Sequence, residues 1–310
     1  MSKILLTGAS GKTGEAIYKL LTTEGKHELI ALSSQKEKFP RKDNIFSLNM
    51  TDKKELKSFL HEHKPEVIIN AAAYTDVDGS EDNKKAAMDL NATLVGNLAN
   101  FCKINESHLI TFSTDYIFDG KLGPYTEDAL PRPLSYYGKT KLAGENAAKI
   151  ELSSYTIIRT NIVYGYSSFG KNDFIRWVAG NLKEGKELNI IEGQWGNPTL
   201  TDDLAEAVKK ILEKKKHGTY NIAGKDWLNR YELALKVADV FGYERDLIRP
   251  LDPKALKQKA KRPEKGGLIT LKAETDLNIK STSLDNGLTT LKHQLNSPDK
   301  SNLIKGKTWH

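Results

Sequence analysis

At 310 residues the chain is long enough for one large or two modest domains with a substantial core. It carries 47 basic against 40 acidic residues, and the net charge of +7 is spread over stretches such as 214–216 and 257–262. No nucleic-acid motif or basic–aromatic stripe accompanies that charge, so it points to anionic small molecules rather than nucleic acid. The lone Cys102 excludes an internal disulfide framework and reads as a small buried hydrophobe in a reducing cytoplasm. No signal-peptide-like region opens the sequence, and no run approaches the ~18 apolar residues of a membrane span.

Taken in chain order, residues 4–7 are a short apolar run that reads as a strand. Gly8-Ala9-Ser10-Gly11-Lys12-Thr13-Gly14 follows, and residues 15–21 have helical apolar spacing. Strand, glycine turn and helix is the order a dinucleotide site needs, because the turn and helix N-terminus offer backbone N–H groups to a pyrophosphate. β-Branched runs recur at 28–32, 44–48, 67–70, 108–113 and 155–159, separated by helical stretches at 52–63, 83–104 and 137–150. Thr51 or Asp52 is expected to cap the first of these helices, with Glu55 completing a capping box. The alternation predicts an α/β fold, a doubly wound parallel sheet of Rossmann type whose strands are apolar on both faces. After Tyr164 the pattern loosens. Residues 172–183, 201–216 and 229–241 read as helices, 218–223 as another sheet strand, and the 190s and 250s as irregular loops. The expected organisation is a dinucleotide-binding domain of 1–164 plus about 201–223. A smaller interleaved substrate lobe spans 165–200 plus 224–295, and 296–310 forms a mobile tail. Such a lobe creates a cleft at the C-terminal edge of the sheet.

Tyr137 and Lys141 stand four apart, on one face of the helix expected over 137–150. There an ammonium is expected to lower the phenol's pKa, ordinarily ~10, making Tyr137 a usable acid or base near neutral pH. The strand over 108–113 ends in Ser113-Thr114-Asp115, where the Thr114 hydroxyl faces the same cleft and can donate to a substrate oxygen that gains charge. These groups and the glycine loop describe hydride chemistry at an alcohol or ketone. Tyr136 has Thr140 four residues on rather than a lysine, so it is the weaker acid. The second strand runs into Ser33-Ser34-Gln35-Lys36, with no acid to hold a ribose 2′-OH. Ser33, Ser34 and Lys36 suit a 2′-phosphate instead, so NADPH is expected, with NADH as a lesser cofactor. His61 and His63 lack a third ligand at suitable spacing, and no metal is expected. Glu15 is a favourable charge at the first helix's N-terminus.

Longer segments carry a resemblance that spans about residues 3–295. They are Asn70-Ala71-Ala72-Ala73-Tyr74-Thr75-Asp76-Val77-Asp78, Ser113-Thr114-Asp115-Tyr116-Ile117-Phe118-Asp119-Gly120, and Tyr137 through Gly144-Glu145. To these are added Arg159-Thr160, Gly196-Asn197-Pro198-Thr199 ahead of Asp203-Leu204-Ala205, and Arg262-Pro263. The chain resembles the dTDP-4-dehydrorhamnose reductase family of extended short-chain dehydrogenase/reductases. The resemblance implies NAD(P)H-dependent reduction of the C4 ketone of a nucleotide-linked 4-dehydro-6-deoxyhexose, with a nucleotide-diphosphate sugar as substrate, most directly dTDP-4-dehydro-L-rhamnose. Thr114, Tyr137 and Lys141 are the implied catalytic residues. Ala71, Ala72 and Ala73 pass beside the cofactor, with Asn49 and Asp52 at its adenosine end. Tyr74, Val77, Asp78, Asp115, Tyr116, Phe118, Asn161, Ile162, Trp195, Asn197 and Arg262 form the implied substrate site with Thr114. Neither a membrane nor a nucleic acid is expected as partner, and a homodimer is the assembly considered.

Departures from the family matter as well. Nucleotide-sugar 4,6-dehydratases carry an Asp-Glu pair after this threonine. Here Asp115 is followed by Tyr116, which argues against dehydration; a 4-epimerase stays open. Ile162 stands where the family often has a sugar-pocket tryptophan, Thr13 where it usually has leucine, and the serine expected near Gly266 is missing. The same family includes the β subunit of methionine adenosyltransferase, so a non-catalytic NADP-binding regulatory subunit is the alternative.

Overall fold

The computed structural model describes residues 1–39, 43–169, 172–255 and 257–296. The expected 296–310 tail therefore lies, beyond Asn296, outside the described residues. In chain order the first half contains β1 (Lys3–Thr7), α1 (Lys12–Glu24), β2 (Glu28–Leu32), β3 (Ile45–Phe46), α2 (Lys53–His63) and β4 (Val67–Asn70). After these come α3 (Gly79–Asp82), α4 (Lys84–Met88), α5 (Leu94–Asn105), β5 (His108–Thr114), α6 (Tyr136–Glu151) and β6 (Tyr155–Thr160). The second half contains β7 (Val163–Tyr164), α7 (Phe174–Lys183), β8 (Leu188–Ile191), β9 (Thr199–Leu200), α8 (Thr201–Lys214) and β10 (Gly218–Asn221). It ends with α9 (Arg230–Phe241), β11 (Ile248–Leu251), α10 (Leu271–Leu277) and α11 (Leu284–Asn296).

Seven strands form one sheet in the order β10-β6-β5-β4-β1-β2-β3, and every neighbouring pair is parallel. This is the doubly wound arrangement expected, with the switch point between β1 and β4. Thr7 pairs with Asn70 and Asn70 with Thr111, so β1, β4 and β5 end together at the carboxyl edge. One face of the sheet packs on Ile17 and Leu21 of α1 and Leu204, Val208 and Ile211 of α8. The other packs on Leu56 and Leu60 of α2, Leu94 and Leu98 of α5, and Ala148 of α6; Cys102 lies in this layer and is buried. A separate core joins α7, α9 and α11 with β8 and Tyr164.

Four details differ from the expectations. The helix expected over 83–104 is interrupted by a π-helical turn at Asp89–Thr93, which directs Asn91 inward. Asp52 does cap α2, accepting from the backbone N–H groups of Lys54 and Glu55, but Glu55 reaches Asn49 N rather than completing a capping box. The reciprocal box sits at Asn229 and Glu232, opening α9. Finally, the regions expected to be irregular contain a parallel pair, β8 with β11, joined across more than one intervening helix, where no local pattern reports the partner. In the stretch assigned to the substrate lobe, Ala273 and Leu277 of α10 instead join the core on the α1 and α8 face of the sheet, where α10 meets α8 and β10. Among the described residues no helix is long and apolar enough to cross a membrane.

Candidate active site

The glycine loop needs its glycines for reasons of space. Gly8 has φ +69, and a Cβ there would lie 2.7 Å from Ala72 N. A Cβ on Gly14 would lie 2.2 Å from Gly8 O, so α1 approaches the loop as only glycine permits. Gly11 caps α1 without a side-chain acceptor, leaving the first turn's N–H groups available to an anion. Ser10 and Thr13 lie half-buried on the loop. Ala71 follows β4 and hydrogen-bonds Thr7 O, while Ala72 N donates to Thr7 Oγ1, holding 71–73 beside the loop. Asn91 fixes the next residue: its Oδ1 accepts from Tyr74 N at 2.9 Å and its Nδ2 donates to Tyr74 O and Thr140 Oγ1. Asn91 escaped the sequence reading, although an asparagine inside an apolar helical run is a signal of a side chain bonded elsewhere.

Several expected cofactor side chains are otherwise engaged. Lys12 forms an ion pair with Asp173, which also caps α7, so its ammonium points to the substrate lobe rather than standing free over the loop. Asp52 spends its Oδ1 on the cap of α2, and Asn49 Oδ1 accepts from Thr51 N and Oγ1. Both shape the edge after β3 rather than offering those oxygens to adenine. Beyond β2, Ser33 is buried and accepts from Gln35 N, Ser34 is exposed, and Lys36 lies over the Phe46 ring at 5.5 Å. Glu15 is more than a dipole partner. It is 2% exposed and accepts hydrogen bonds from Ser167 Oγ, Ser168 N and Ser168 Oγ, tying α1 to the segment after β7.

Of the expected catalytic residues, Tyr137 and Thr114 are brought together. Ser135 caps α6 through Gly138 N, and a Cβ on Gly138 would lie 2.2 Å from Tyr116 O, so the helix start is pressed against the turn after β5. Tyr137 thereby hydrogen-bonds Thr114 and sits edge-on to Tyr116, with ring centroids 5.7 Å apart. Tyr136 turns the other way: its N–H donates to Glu81 and its ring lies under Lys84. Burial, reinforced by Tyr116 and Asp115, pushes the Tyr137 phenol above its ordinary value, while the Thr114 hydrogen bond pulls the other way. The expected lowering by Lys141 is absent because that ammonium donates to Phe112 O at 2.7 Å. Burial brings Lys141 itself down to about 8 against a smaller opposing pull from Glu145. A phenol held above its usual range is fully protonated at neutral pH and is therefore an acid, the form that carbonyl reduction requires.

The expected substrate residues divide into two groups. Asp115 is buried and accepts from Asn161 Nδ2 and Gly267 N, each at 3.0 Å. Burial raises its carboxyl's pKa against these hydrogen bonds. It braces three segments, with its Oδ1 accepting from Thr114 Oγ1. Asn161, buried at Asp115, shares that bracing role. Phe118 is 0% exposed and stacks on Tyr125 at 4.3 Å, a core residue rather than a binding one. Asn197 is buried with its Oδ1 on Leu268 N, a loop brace. Both oxygens of Asp78 accept from Arg262, and Oδ1 also accepts from Ala260 N. Tyr74, Val77, Tyr116, Ile162, Trp195 and Arg262 keep partial exposure. Ile162 has φ +41, strained for a β-branched residue, and its Cδ1 lies 2.7 Å from where a Gly196 Cβ would be. Trp195 packs on Trp227 at 4.6 Å. His61 and His63 pack on Phe101 and on Phe46 and Phe59.

Arg230 has no sequence signal; it looks like the first residue of a helix. The structure brings its guanidinium over the Phe174 ring at 4.9 Å and onto the Tyr116 hydroxyl, which Arg262 also reaches. Among the described residues Arg230 has no ion pair, and its buried Nε has no partner. Burial pulls the guanidinium below its usual pKa. Two guanidinium groups thus gather on one phenol beside Tyr137.

Fold and site together define an oxidoreductase that uses a nicotinamide dinucleotide. The chain belongs to the RmlD substrate binding domain family, which it matches over residues 2–297. It is 30% identical to a probable low-salt glycan biosynthesis reductase of Haloferax volcanii, over 92% of this chain and 96% of that protein. It is also 30% identical to the methionine adenosyltransferase 2 subunit beta of Rattus norvegicus, over 88% and 82%. The solved structure of a dTDP-4-dehydrorhamnose reductase from Clostridium acetobutylicum superposes with a TM-score of 0.85 at 31% identity, covering 95% of this chain and all of that one.

Proposed function

We propose that this protein reduces the C4 ketone of a nucleotide-linked 4-dehydro-6-deoxyhexose, with dTDP-4-dehydro-L-rhamnose the first substrate to test. The observation that carries the reading is the convergence of Arg230 and Arg262 on Tyr116, next to the protonated Tyr137. An unpaired guanidinium out of water is costly, and a diphosphate repays that cost with charge-assisted, bidentate hydrogen bonds. NADPH supplies the hydride when bound, and the absence of an acid in Ser33-Ser34-Gln35-Lys36 after β2 favours its 2′-phosphate. Tyr137 gives its proton to the C4 oxygen as that oxygen becomes an alcohol, and Thr114 donates a hydrogen bond to it as charge develops. Lys141, whose ammonium donates to Phe112 O, would hold the nicotinamide ribose.

A second reading, a binding subunit without turnover, is favoured by the likeness to the rat β subunit. The complete Thr114, Tyr137 and Lys141 set weighs against it. Incubating the protein with NADPH and dTDP-4-dehydro-L-rhamnose separates the two: loss of NADPH absorbance with formation of the alcohol supports the reductase. NADPH binding without turnover over a set of nucleotide-linked 4-keto sugars supports the binding subunit.

A further inference from the structure

We propose that Asp78 is a positioning residue, setting the guanidinium of Arg262 so that one edge stays open for the substrate's diphosphate. The proposal rests on the nucleotide-sugar reading above and identifies what prepares that site before substrate arrives.

Asp78 lies between β4 and α3, on the dinucleotide side of the cleft, and Arg262 lies in the loop that crosses from the other side. Asp78 Oδ1 accepts from Arg262 Nη1 at 3.0 Å and from Ala260 N at 2.8 Å, while Oδ2 accepts from Arg262 Nη2 at 2.7 Å. The second Nη1 hydrogen goes to Ala260 O at 3.1 Å. A guanidinium has five N–H groups in a rigid plane. Subtracting these three bonds leaves the Nε–H and one Nη2–H, which share the opposite edge of the plane. The Tyr116 hydroxyl is a further neighbour of the guanidinium. The free edge can take two oxygens of a phosphate side by side.

The Arg262 side chain is only 9% exposed, so its direction is set by these contacts and not by solvent. The Arg262 pairing and the Ala260 N–H hold the Asp78 carboxyl below its usual pKa, although burial acts the other way, so it stays ionised through the neutral range. Lys259 pairs with Asp82 of α3 alongside, making 259–262 a segment seated on 78–82. Arg230 has no comparable seat: its carboxylate neighbours stop short of an ion pair. The two arginines therefore differ in kind, one fixed in advance and one held by aromatic contact and by Tyr116.

The experiment uses the full-length protein and dTDP as the probe, with Asp78→Asn, Asp78→Ala, Arg262→Lys and the Asp78→Ala/Arg262→Lys double variant. Asp78→Asn keeps an acceptor for Ala260 N and loses the two-oxygen anionic seat, so it separates positioning from loop folding. Calorimetric dTDP affinity is expected to fall about tenfold or more in Asp78→Asn and Asp78→Ala, with melting temperature close to wild type in the former. Where substrate turns over, KM should rise more than kcat falls. The double variant should bind dTDP about as weakly as Arg262→Lys alone, because Asp78 acts through Arg262. Asp78→Asn binding dTDP within twofold of wild type would overturn the positioning role and leave the nucleotide-sugar reading intact. A wild-type protein that binds no dTDP or other nucleoside diphosphate would overturn both.

Discussion

The half of the site proposed for the cofactor is made of backbone and glycine, whereas the half proposed for the substrate is made of long side chains held by other side chains. Around Gly8, Gly11 and Gly14 the determinants are a positive φ, two approaches closer than a Cβ allows, and an uncapped helix start. Around Tyr116 they are Arg230 from α9, Arg262 from a distant loop, and the braces Asp78, Asp115 and Asn197. The first kind of site is written in consecutive residues. The second exists only after the second half of the chain has folded back over the sheet.

Changes in the two halves should therefore fail differently. The largest effect belongs to the group they share. Tyr137→Phe keeps the ring that packs against Tyr116 and removes the acid, so turnover should fall by ~10²–10⁴-fold with NADPH affinity retained. Single-turnover kinetics beside an NADPH titration checks both, and Tyr136→Phe, whose ring faces Lys84, is the mild control.

Next comes the backbone half. Gly14→Ala puts a methyl 2.2 Å from Gly8 O, so α1 must shift. A loss on the order of 1–3 kcal/mol in stability is expected, with weaker NADPH binding. An unchanged melting temperature and unchanged NADPH affinity would show that the loop is looser than these approaches imply. Arg230→Met probes the side-chain half and should do the opposite. It removes a guanidinium that has no ion pair among the described residues and whose Nε is buried without a partner, so the melting temperature should hold or rise. Affinity for the nucleotide sugar should drop by about 2 kcal/mol, or roughly 30-fold. Loss of both stability and NADPH binding in Arg230→Met would erase the distinction between the halves.

How much of this was legible follows the same division. The glycine loop, the Thr114–Tyr137–Lys141 trio and the sheet strands stood out because periodicity and spacing are local properties. Within the trio, the positions were legible but the electrostatics were not: Lys141 spends its ammonium on Phe112 O, and burial, not a cation, sets Tyr137. Phe118, Asp115 and Asn197 lie in motifs that resemble a substrate site, yet in the structure Asp115 ties the end of β5 to Gly267, Asn197 ties the segment before β9 to Leu268, and Phe118 stacks on Tyr125. Arg230 went unread because a reach across the lobes leaves no local pattern, and Asn91 because an asparagine in an apolar helical run signals a bond without naming its partner.

The smallest effect concerns Lys141. Its folded pKa of about 8 lies below the ordinary lysine value, so between roughly pH 8 and 10 the unfolded chain binds more protons than the folded one. Stability therefore rises with pH in that window, and the charged form is the one that costs stability at lower pH. Compared with Lys141→Met, wild type should gain stability from pH 8 to 10 in denaturant titrations. Parallel curves for the two would mean that the ammonium is better solvated than its 6% exposure suggests.

The most direct measurement supplies NADPH with two substrates that differ in one feature, a nucleotide-linked 4-dehydro-6-deoxyhexose and the same sugar without its nucleotide. The expected result is stoichiometric conversion of NADPH and ketone to NADP and alcohol for the nucleotide-linked sugar, and none for the free sugar at equal concentration. Equal turnover of both would contradict an arginine-anchored diphosphate site, and NADPH binding with no turnover of any nucleotide-linked ketone would contradict the reductase itself.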